Sequence, residues 1–556
     1  MPLPRLLIAT LCLSCLAAPA EALPPPCNSG TVFEDRDGNG RRDAGEPGLP
    51  GIKVSDGVEL VTTDARGAYH LPVIDGRTSF VIKPAGYTVP ARANGLPQYW
   101  RHVRVEPGPA HGGIPVGRPA CRDYALVPAQ PSPDRRAGLE VLVFGDPQVK
   151  SAADIDYYAR DIVRPAMERG AIELAHSFGR FYFKGGAADL GISLGDIVND
   201  DLALYPAINA ATARLGVPWL HAPGNHDLDF DAANDAESLL TFRHHYGPDT
   251  FAWEEAEANF IVLDDVIYRP GQTPGYIGGL REDQFGFLQR YLPTVPKDRL
   301  LVLALHIPLF DTAPGRATFR GGDRERLFAL LRGFPRVLVL SGHSHVQQHV
   351  RHGAESGWHG TVPLHEYNVG AACGAFWSGA KDEAGIPDAT MSDGTPNGYA
   401  RLRVEPSGEY ALSWHPARLP ADDPASTAAM ALHAPRVLRR GAYPAWGIYA
   451  NVFMGEPDSR VEYRIDGGQW RPMQRVQQPD PRLLIENMRD DLADHLRGYD
   501  RSPEARPSQH LWRGALPTDL APGQHDVEVR AFDRWQGEQR ARTVYRLDEA
   551  AQGGAD

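Results

Sequence analysis

Five polar clusters carry the residue types that ligate metals, and each begins where a short apolar run ends. Asp146-Pro147-Gln148 follows the run 141–144, and Gly195-Asp196-Ile197-Val198-Asn199-Asp200 follows 190–194. Gly224-Asn225-His226-Asp227 comes after 217–220, His306 after 300–305, and Gly342-His343-Ser344-His345 after 337–340. Carboxylates, amides and imidazoles brought together in this way suit a pair of divalent first-row cations about 3.5–4 Å apart. Taken singly, each is ordinary: an Asp or Asn after a strand is more often a helix cap, and a lone His more often a satisfied core residue. Their joint occurrence at strand exits carries the reading.

The runs between these clusters are apolar nearly throughout, as expected of strands covered on both faces. Helical stretches intervene: 207–215 stops at Gly216 and Pro218, and Leu327, Leu330 and Leu331 share one face before Gly333 and Pro335. Strands alternating with helices predict a layered α/β domain over 138–417. In open α/β sheets, ligands bind at the carboxyl ends of the strands, where the five clusters fall.

On either side the pattern is β. Residues 23–127 read as a small β module, with Ile52 and Val54, the turn Asp56-Gly57, then Val58 and Leu60. Within it, Asp35, Asp37, Asn39, Arg41 (through its carbonyl), Asp43 and Glu46 satisfy a calcium-loop spacing, with Gly40 at the bend. An ion-free Asp/Gly turn is the competing reading, because no helices flank the loop. The proline-bearing stretch 128–137 reads as a stiff linker. From 418 to 556 alternation returns, as in Val461, Tyr463 and Ile465 before Asp466-Gly467-Gly468, and predicts a second β-sandwich-like domain, with 479–508 as a long insertion or loop.

At 556 residues, roughly 150 per domain allows three or four domains. A hydrophobic share of 42% with 23% charged residues excludes disorder as the main class. The net charge of −13 offers no broad basic field, so no nucleic-acid partner is expected. Residues 1–22, with an apolar run over 6–18 after Arg5 and small residues around Ala20, read as a removed export signal, which implies a periplasmic or secreted protein without a later membrane anchor. Of five cysteines, Cys12 and Cys15 leave with that signal. Cys27 and Cys121 could then bridge the first module and leave Cys373 over, one of three pairings that the remaining cysteines allow.

The ordered set Asp-x-Gln, Gly-Asp-x-x-x-Asp, Gly-Asn-His-Asp, His, Gly-His-x-His resembles the calcineurin-like metallophosphoesterase superfamily over 146–345. Gly374 to Gly379, Met391 to Tyr399 and Ser508 to Trp512 resemble a bacterial subgroup that adds an N-terminal β module and a C-terminal β domain. The segment Thr63 to Tyr69 is similar to carboxypeptidase-regulatory sandwiches, and the calcium-type loop to β modules of bacterial surface proteins. The superfamily resemblance implies a four-layer αββα core with two metals: Asp146, Gln148 and His345 at the first, Asn225, His306 and His343 at the second, and Asp196 bridging. Gln148 departs from the commoner His, and its harder oxygen favours Mn or Fe over Zn, Mn foremost. The resemblance further implies a phosphatase or phosphodiesterase in which a metal-bridging hydroxide attacks phosphorus. His226 would protonate the leaving group, with Asp227 orienting it.

Phe376, Trp377, Asn397 and Tyr399 lie in the Gly-rich stretch after the last ligand and are the candidates for substrate contact. The expected substrates are phosphorylated small molecules or envelope and lipid phosphoesters. A reading from another class is a non-catalytic envelope or surface binding protein with a vestigial metal site; the complete ligand set argues against it.

Overall fold

The computed structural model describes residues 27–549 apart from 107, 109–116, 118–120, 130–137, 169–187, 314 and 421. The export signal expected at 1–22 and nearly all of the linker expected at 128–137 lie outside the described residues.

The apolar runs become the strands of two sheets. Trp219–Ala222, Leu190–Leu194 and Leu139–Phe144 lie parallel in that order, and Gly398–Val404 and Tyr410–Pro416 extend the sheet antiparallel to five strands. The second sheet has six strands, with Ala258–Val262, Leu300–Ala304, Val337–Ser341 and Leu364–Asn368 parallel at its centre and Phe251–Glu254 and Gln348–His352 antiparallel at its edges. Every residue of Leu190–Leu194 and Leu300–Ala304 is buried, which is why those strands read as unbroken apolar runs rather than alternating ones.

Helices Ala152–Tyr158 and Tyr205–Thr212 pack together beside the first sheet, and Glu282–Tyr291 and Gly321–Leu331 beside the second, giving the αββα layering. Tyr205–Thr212 has Pro206 in its first turn, where no amide partner is lost, and buries Ile208, Ala211 and Thr212. A short 3₁₀ turn continues it to Leu215, and Gly216, at φ +70°, ends the run in the left-handed region that a side chain disfavours.

Register brings the carboxyl ends level. Leu194 stands beside Ala222 in one sheet, and Ala304 beside Leu340 in the other. The Gly342 amide donates to the His306 carbonyl within the second sheet, and the two sheets meet where His306 Nδ1 lies 2.8 Å from the Leu194 carbonyl across the layer boundary.

The N-terminal module is two four-stranded sheets, closed by a Cys27–Cys121 disulfide that leaves Cys373 free and buried. Its apolar interior runs on into that of the αββα core. Phe80 meets Phe251 and Phe287 with ring centroids 6.5 and 6.2 Å apart, and Tyr99 meets Trp253 at 5.6 Å. Lys53 pairs with Glu254 at 2.6 Å across the same boundary.

The C-terminal domain stacks a four-stranded and a five-stranded sheet around its own core, which includes Tyr463, Trp512, Val527, Val529 and Ala531. The stretch 479–508, read as a long insertion or loop, is not all loop: it contains the helix Pro481–Asp491, capped by the Asp480 carboxylate on the Arg482 amide. Asp followed by Pro is a helix-start signal. It was masked because this helix buries little of itself, Leu483 alone of its residues being fully buried.

Candidate metal centre

The loops leaving the strands turn sharply, and the backbone shows it. Asp146, Gln148, Asp196, Asp200, His343 and His345 all have positive φ, from +40° to +70°. Such conformations cost free energy in non-glycine residues and persist where surroundings over-determine them, often at functional sites. The glycines before the ligands have a separate cause, which is close approach. A Cβ on Gly224 would lie 2.2 Å from the Asp196 amide nitrogen, and one on Gly195 would lie 2.6 Å from His306 Nδ1. Only bare backbone lets these loops stack.

The stacking converges the donors. Asp196, His306 and His343 offer ligand atoms within 4.8 Å of one another, and so do Asp146, Asp196 and His345. The two trios share Asp196. His306 Nε2 stands 3.3 Å from Asp196 Oδ2, 3.1 Å from Asn225 Oδ1 and 3.2 Å from His343 Nδ1. His345 Nε2 lies 3.6 Å from Asp146 Oδ1. Because Nδ1 of His306 donates to Leu194 O, and Nδ1 of His345 to Gly374 O at 2.7 Å, each presents Nε2 inward. Gln148 enters the same space with its amide nitrogen 3.4 Å from Asp196 Oδ2 and its oxygen toward Cys373. Exchange of amide oxygen and nitrogen would bring an acceptor to the first position.

Two carboxylates, three imidazoles and two amides with little outlet to solvent form a donor set that fits a cation. Asp146 and Asp196 are 0% and 1% exposed, and buried carboxylates need positive charge nearby. Among the protein's own groups, His306 is the one placed to supply it. Burial would lower its pKa, but the charges of Asp196, Asp146 and Asp265 outweigh that and push it up to about 10. Burial and the neighbouring His306 charge hold His343 down at about 3, leaving its ring neutral. For Asp146 burial dominates and raises the carboxyl, while for Asp196 the imidazoles outweigh burial and lower it.

His226 stands outside both trios, and its partner corrects an expectation. Its Nδ1 donates to Asp200 Oδ1 at 2.7 Å, not to Asp227. Asp227 is fully buried on the other side of the turn. There it accepts from the amides of Ile197 (3.1 Å) and Gly224 (2.8 Å) and from the Tyr205 hydroxyl (2.9 Å). Adjacent residues in a turn point apart, so Asp227 ties the Asp196 loop to the Asn225 loop and leaves His226 to a carboxylate 26 positions earlier. Burial and the nearby Asp196 charge raise the Asp227 carboxyl to about 7. Burial would depress His226, yet Asp196 and Asp200 together hold its imidazole above the usual value.

Of the four substrate candidates, only Phe376 faces outward, at 48% exposure, with its ring 4.6 Å from that of His345. Trp377 is buried and donates its indole N–H to Pro147 O at 3.0 Å, bracing the peptide between Asp146 and Gln148. Asn397 is buried and donates to Ala372 O at 3.1 Å. Tyr399 is buried beside Phe144 and stacks on His415. These three shape the site from behind and do not line it.

The structure adds residues that the sequence reading left without a role. Asp200 is one. Asp265 is another: it follows the strand Ala258–Val262 and accepts from the amides of His306 and Ile307 at 3.0 and 3.1 Å, fixing that turn. It carries the same strand-exit signal as the ligands. Tyr276, whose ring is 5.9 Å from that of His343, carries no such signal.

In the N-terminal module, Asp35, Asp37 and Glu46 bring carboxylate oxygens within 4.8 Å of one another. Loop amides satisfy them: Gly38 and Gly40 donate to Asp35 at 2.8 and 2.7 Å, and Arg36 and Asp43 donate to Glu46 at 2.8 and 2.9 Å. Asn39 donates its side-chain amide to Asp37 and Asp43, and accepts from the Arg41 amide at 2.7 Å.

Comparison with known families bears on the whole architecture. Residues 139–347 match calcineurin-like phosphoesterase, 36–111 match the N terminal of calcineurin-like phosphoesterase, and 366–538 match its C terminal. The chain belongs to the calcineurin-like phosphoesterases. Members of this family are metal-dependent phosphoesterases, and the two trios sharing Asp196 are where this phosphoesterase would hold a dinuclear divalent centre. Among solved structures, a purple acid phosphatase from yellow lupin (Lupinus luteus) seeds aligns over 67% of this chain and 69% of its own, at 12% identity and a TM-score of 0.36. A dimetal phosphatase from Danio rerio aligns over 51% of this chain and 98% of its own, at 12% identity and a TM-score of 0.32. No curated protein matches this phosphoesterase.

Proposed function

We propose that this chain hydrolyses phosphate esters outside the cytoplasm, with His226 as general acid and Asp200 as its orienting partner. The observation that carries the reading is the pair of donor trios joined by Asp196, with an imidazole held beside them but outside the set. Asp146, Gln148 and His345 would hold the first cation, Asn225, His306 and His343 the second, and Asp196 both. A bound pair supplies charge neutralisation at the phosphoryl oxygens and a water of lowered pKa.

The protein's own groups do the rest. Asp200 fixes the His226 ring with Nδ1 protonated, so Nε2 is the atom that delivers a proton to the departing oxygen. Asp196 and Asp200 outweigh burial and keep the imidazole above its usual pKa, so it holds that proton to higher pH than a free histidine would. Phe376, exposed beside His345, forms one wall for the organic part of the ester. Mn²⁺ is the cation we favour, because Gln148 replaces an imidazole with a hard oxygen donor.

Export rests on residues 1–22 of the sequence and on the Cys27–Cys121 bridge, a bond that persists in oxidising compartments. It points to phosphorylated small molecules or envelope and lipid phosphoesters as substrates. For the loop carrying Asp35, Asp37 and Glu46 we propose structural Ca²⁺. Addition of Ca²⁺ should raise the melting temperature of the wild type and leave that of Asp35→Asn unchanged; equal shifts would remove the site.

Purified protein loaded with Mn²⁺ should cleave p-nitrophenyl phosphate or bis-p-nitrophenyl phosphate and lose that activity to a chelator. Inactivity on both, with Mn²⁺ bound, would instead support a binding protein.

A further inference from the structure

The loop Gly342 to Gln347 carries both His343 and His345, and its two ends are held by different parts of the chain. Asn368, at the end of a neighbouring strand, donates its side-chain amide to the Gly342 carbonyl and takes the Ser344 hydroxyl. The far end is held at Gln347, two residues beyond His345. Its side-chain oxygen accepts from the Tyr367 hydroxyl at 2.8 Å and from the Gly370 amide at 3.2 Å. Its backbone amide donates to Asp393 Oδ2 at 2.9 Å.

Asp393 in turn is clasped by the C-terminal domain. His510, just ahead of the strand Leu511–Ala515, brings Nε2 to 3.1 Å from the same Oδ2. Asn451, on the neighbouring strand Gly447–Val452, donates to the Asp393 carbonyl at 2.9 Å and to Asp480 at 2.6 Å. Gly394 fits because a Cβ there would lie 2.5 Å from Asp480. Asp393 and His510 are 2% and 1% exposed. The other oxygen of Asp393, Oδ1, accepts from the Thr395 amide at 2.9 Å, and a buried carboxylate shared among two backbone amides and one imidazole has little freedom to move without losing a partner.

We propose that the C-terminal domain sets the position of His345, and with it the first cation position, through the buried Asp393–His510 pair. The inference rests on the dinuclear reading and gives the C-terminal domain a role in it. His510 touches neither substrate nor metal ligands. It is a positioning residue, acting through Asp393 and the Gln347 amide. The same contacts explain why Met391 to Tyr399 and Ser508 to Trp512, far apart in sequence, form one recognisable set: each supplies one side of the clasp.

The test is calorimetric titration of the metal-free full chain with Mn²⁺ alone. Wild type should take up two ions. Removal of a hydrogen bond made directly to a ligand typically weakens metal binding about 10–100-fold; His510 acts further back, through Asp393 and Gln347, so His510→Ala should weaken one of the two ions by up to about tenfold. His510→Gln, whose Nε2 can still donate to Asp393, should restore most of that affinity. Val529→Ala, in the C-terminal core away from the clasp, should lower the melting temperature while leaving both Mn²⁺ affinities unchanged. Unaltered Mn²⁺ binding in His510→Ala would overturn the proposal, as would equal weakening in Val529→Ala. Wild type taking up no Mn²⁺ would remove the dinuclear reading itself.

Discussion

Removal of His226 should separate substrates by the quality of their leaving groups. A nitrophenolate departs without a proton, whereas an alkoxide needs one in the transition state. His226→Ala should therefore lower turnover of an alkyl phosphate about 10²–10⁴-fold, the usual contribution of a positioned acid, and affect p-nitrophenyl phosphate far less. Asp200 contributes through one charge-assisted hydrogen bond at 2.7 Å to a side chain 28% exposed, its own carboxylate being 52% exposed. Such bonds are worth about 1.5–3 kcal/mol when buried; half-exposure to solvent moves this one to the lower end or below, about 1–1.5 kcal/mol. That corresponds to roughly a tenfold loss of kcat/KM on alkyl phosphate for Asp200→Ala. Asp200→Asn keeps an acceptor but loses the charge. Because Asp200 is one of the charges that raise the His226 pKa, that variant should lose its acid form at lower pH, and the alkaline limb of kcat/KM should move down. The assay is kcat/KM on both substrates across pH, with metal content checked in each variant. Wild-type turnover of alkyl phosphate by metal-loaded His226→Ala would refute the assignment. So would an alkaline limb that moves in Asp227→Asn but not in Asp200→Asn.

Gly224→Ala should cost metal and activity together, since its Cβ would press at 2.2 Å on the backbone of Asp196; we expect a loss of about a hundredfold or more, and full metal occupancy with normal turnover would count against the packing described. Trp377→Ala should destabilise the fold by about 3–5 kcal/mol and lower turnover of all substrates alike; altered preference between substrates would show that the indole does face the ligand. His221 is buried with both ring nitrogens lacking hydrogen-bond partners among the described residues, and burial lowers its pKa to about 3. Its neutral form is the one the fold holds, so its share of stability is whole above the unfolded value near 6.5 and drains away as pH falls toward 3. Between pH 7.5 and 5 that amounts to about 2 kcal/mol, and urea melts should show His221→Leu losing less over that interval than wild type. Equal losses would mean that this ring titrates normally.

Much of the centre was legible because its ligands share one rule of placement. Asp146, Asp196, Asn225, His306 and His343 each follow an apolar run, and parallel register makes those run ends neighbours. The His226 partner was not legible. Asp227 is next in sequence and Asp200 is 26 positions away, and only the way the two loops stack decides between them. Trp377 and Tyr399 misled for the opposite reason: large rings beside a site serve burial as readily as contact, and composition does not tell which. The same limit hid the continuity of the N-terminal module with the core. Residues 23–127 read as a small β module of its own, but its Phe80 and Tyr99 spend part of their surface on Phe251 and Trp253. The helix Pro481–Asp491 has a clear start at Asp480-Pro481, yet it lacks the buried apolar stripe by which amphipathic helices are found.

The most direct measurement is a count of ions. Protein stripped of metal and reconstituted with Mn²⁺ should hold two per chain, magnetically coupled as befits a separation of about 3.5–4 Å, and turnover should rise only as the second ion binds. A chain that retains no ion, or that turns over fully with one, would contradict the joined trios around Asp196 as the seat of catalysis.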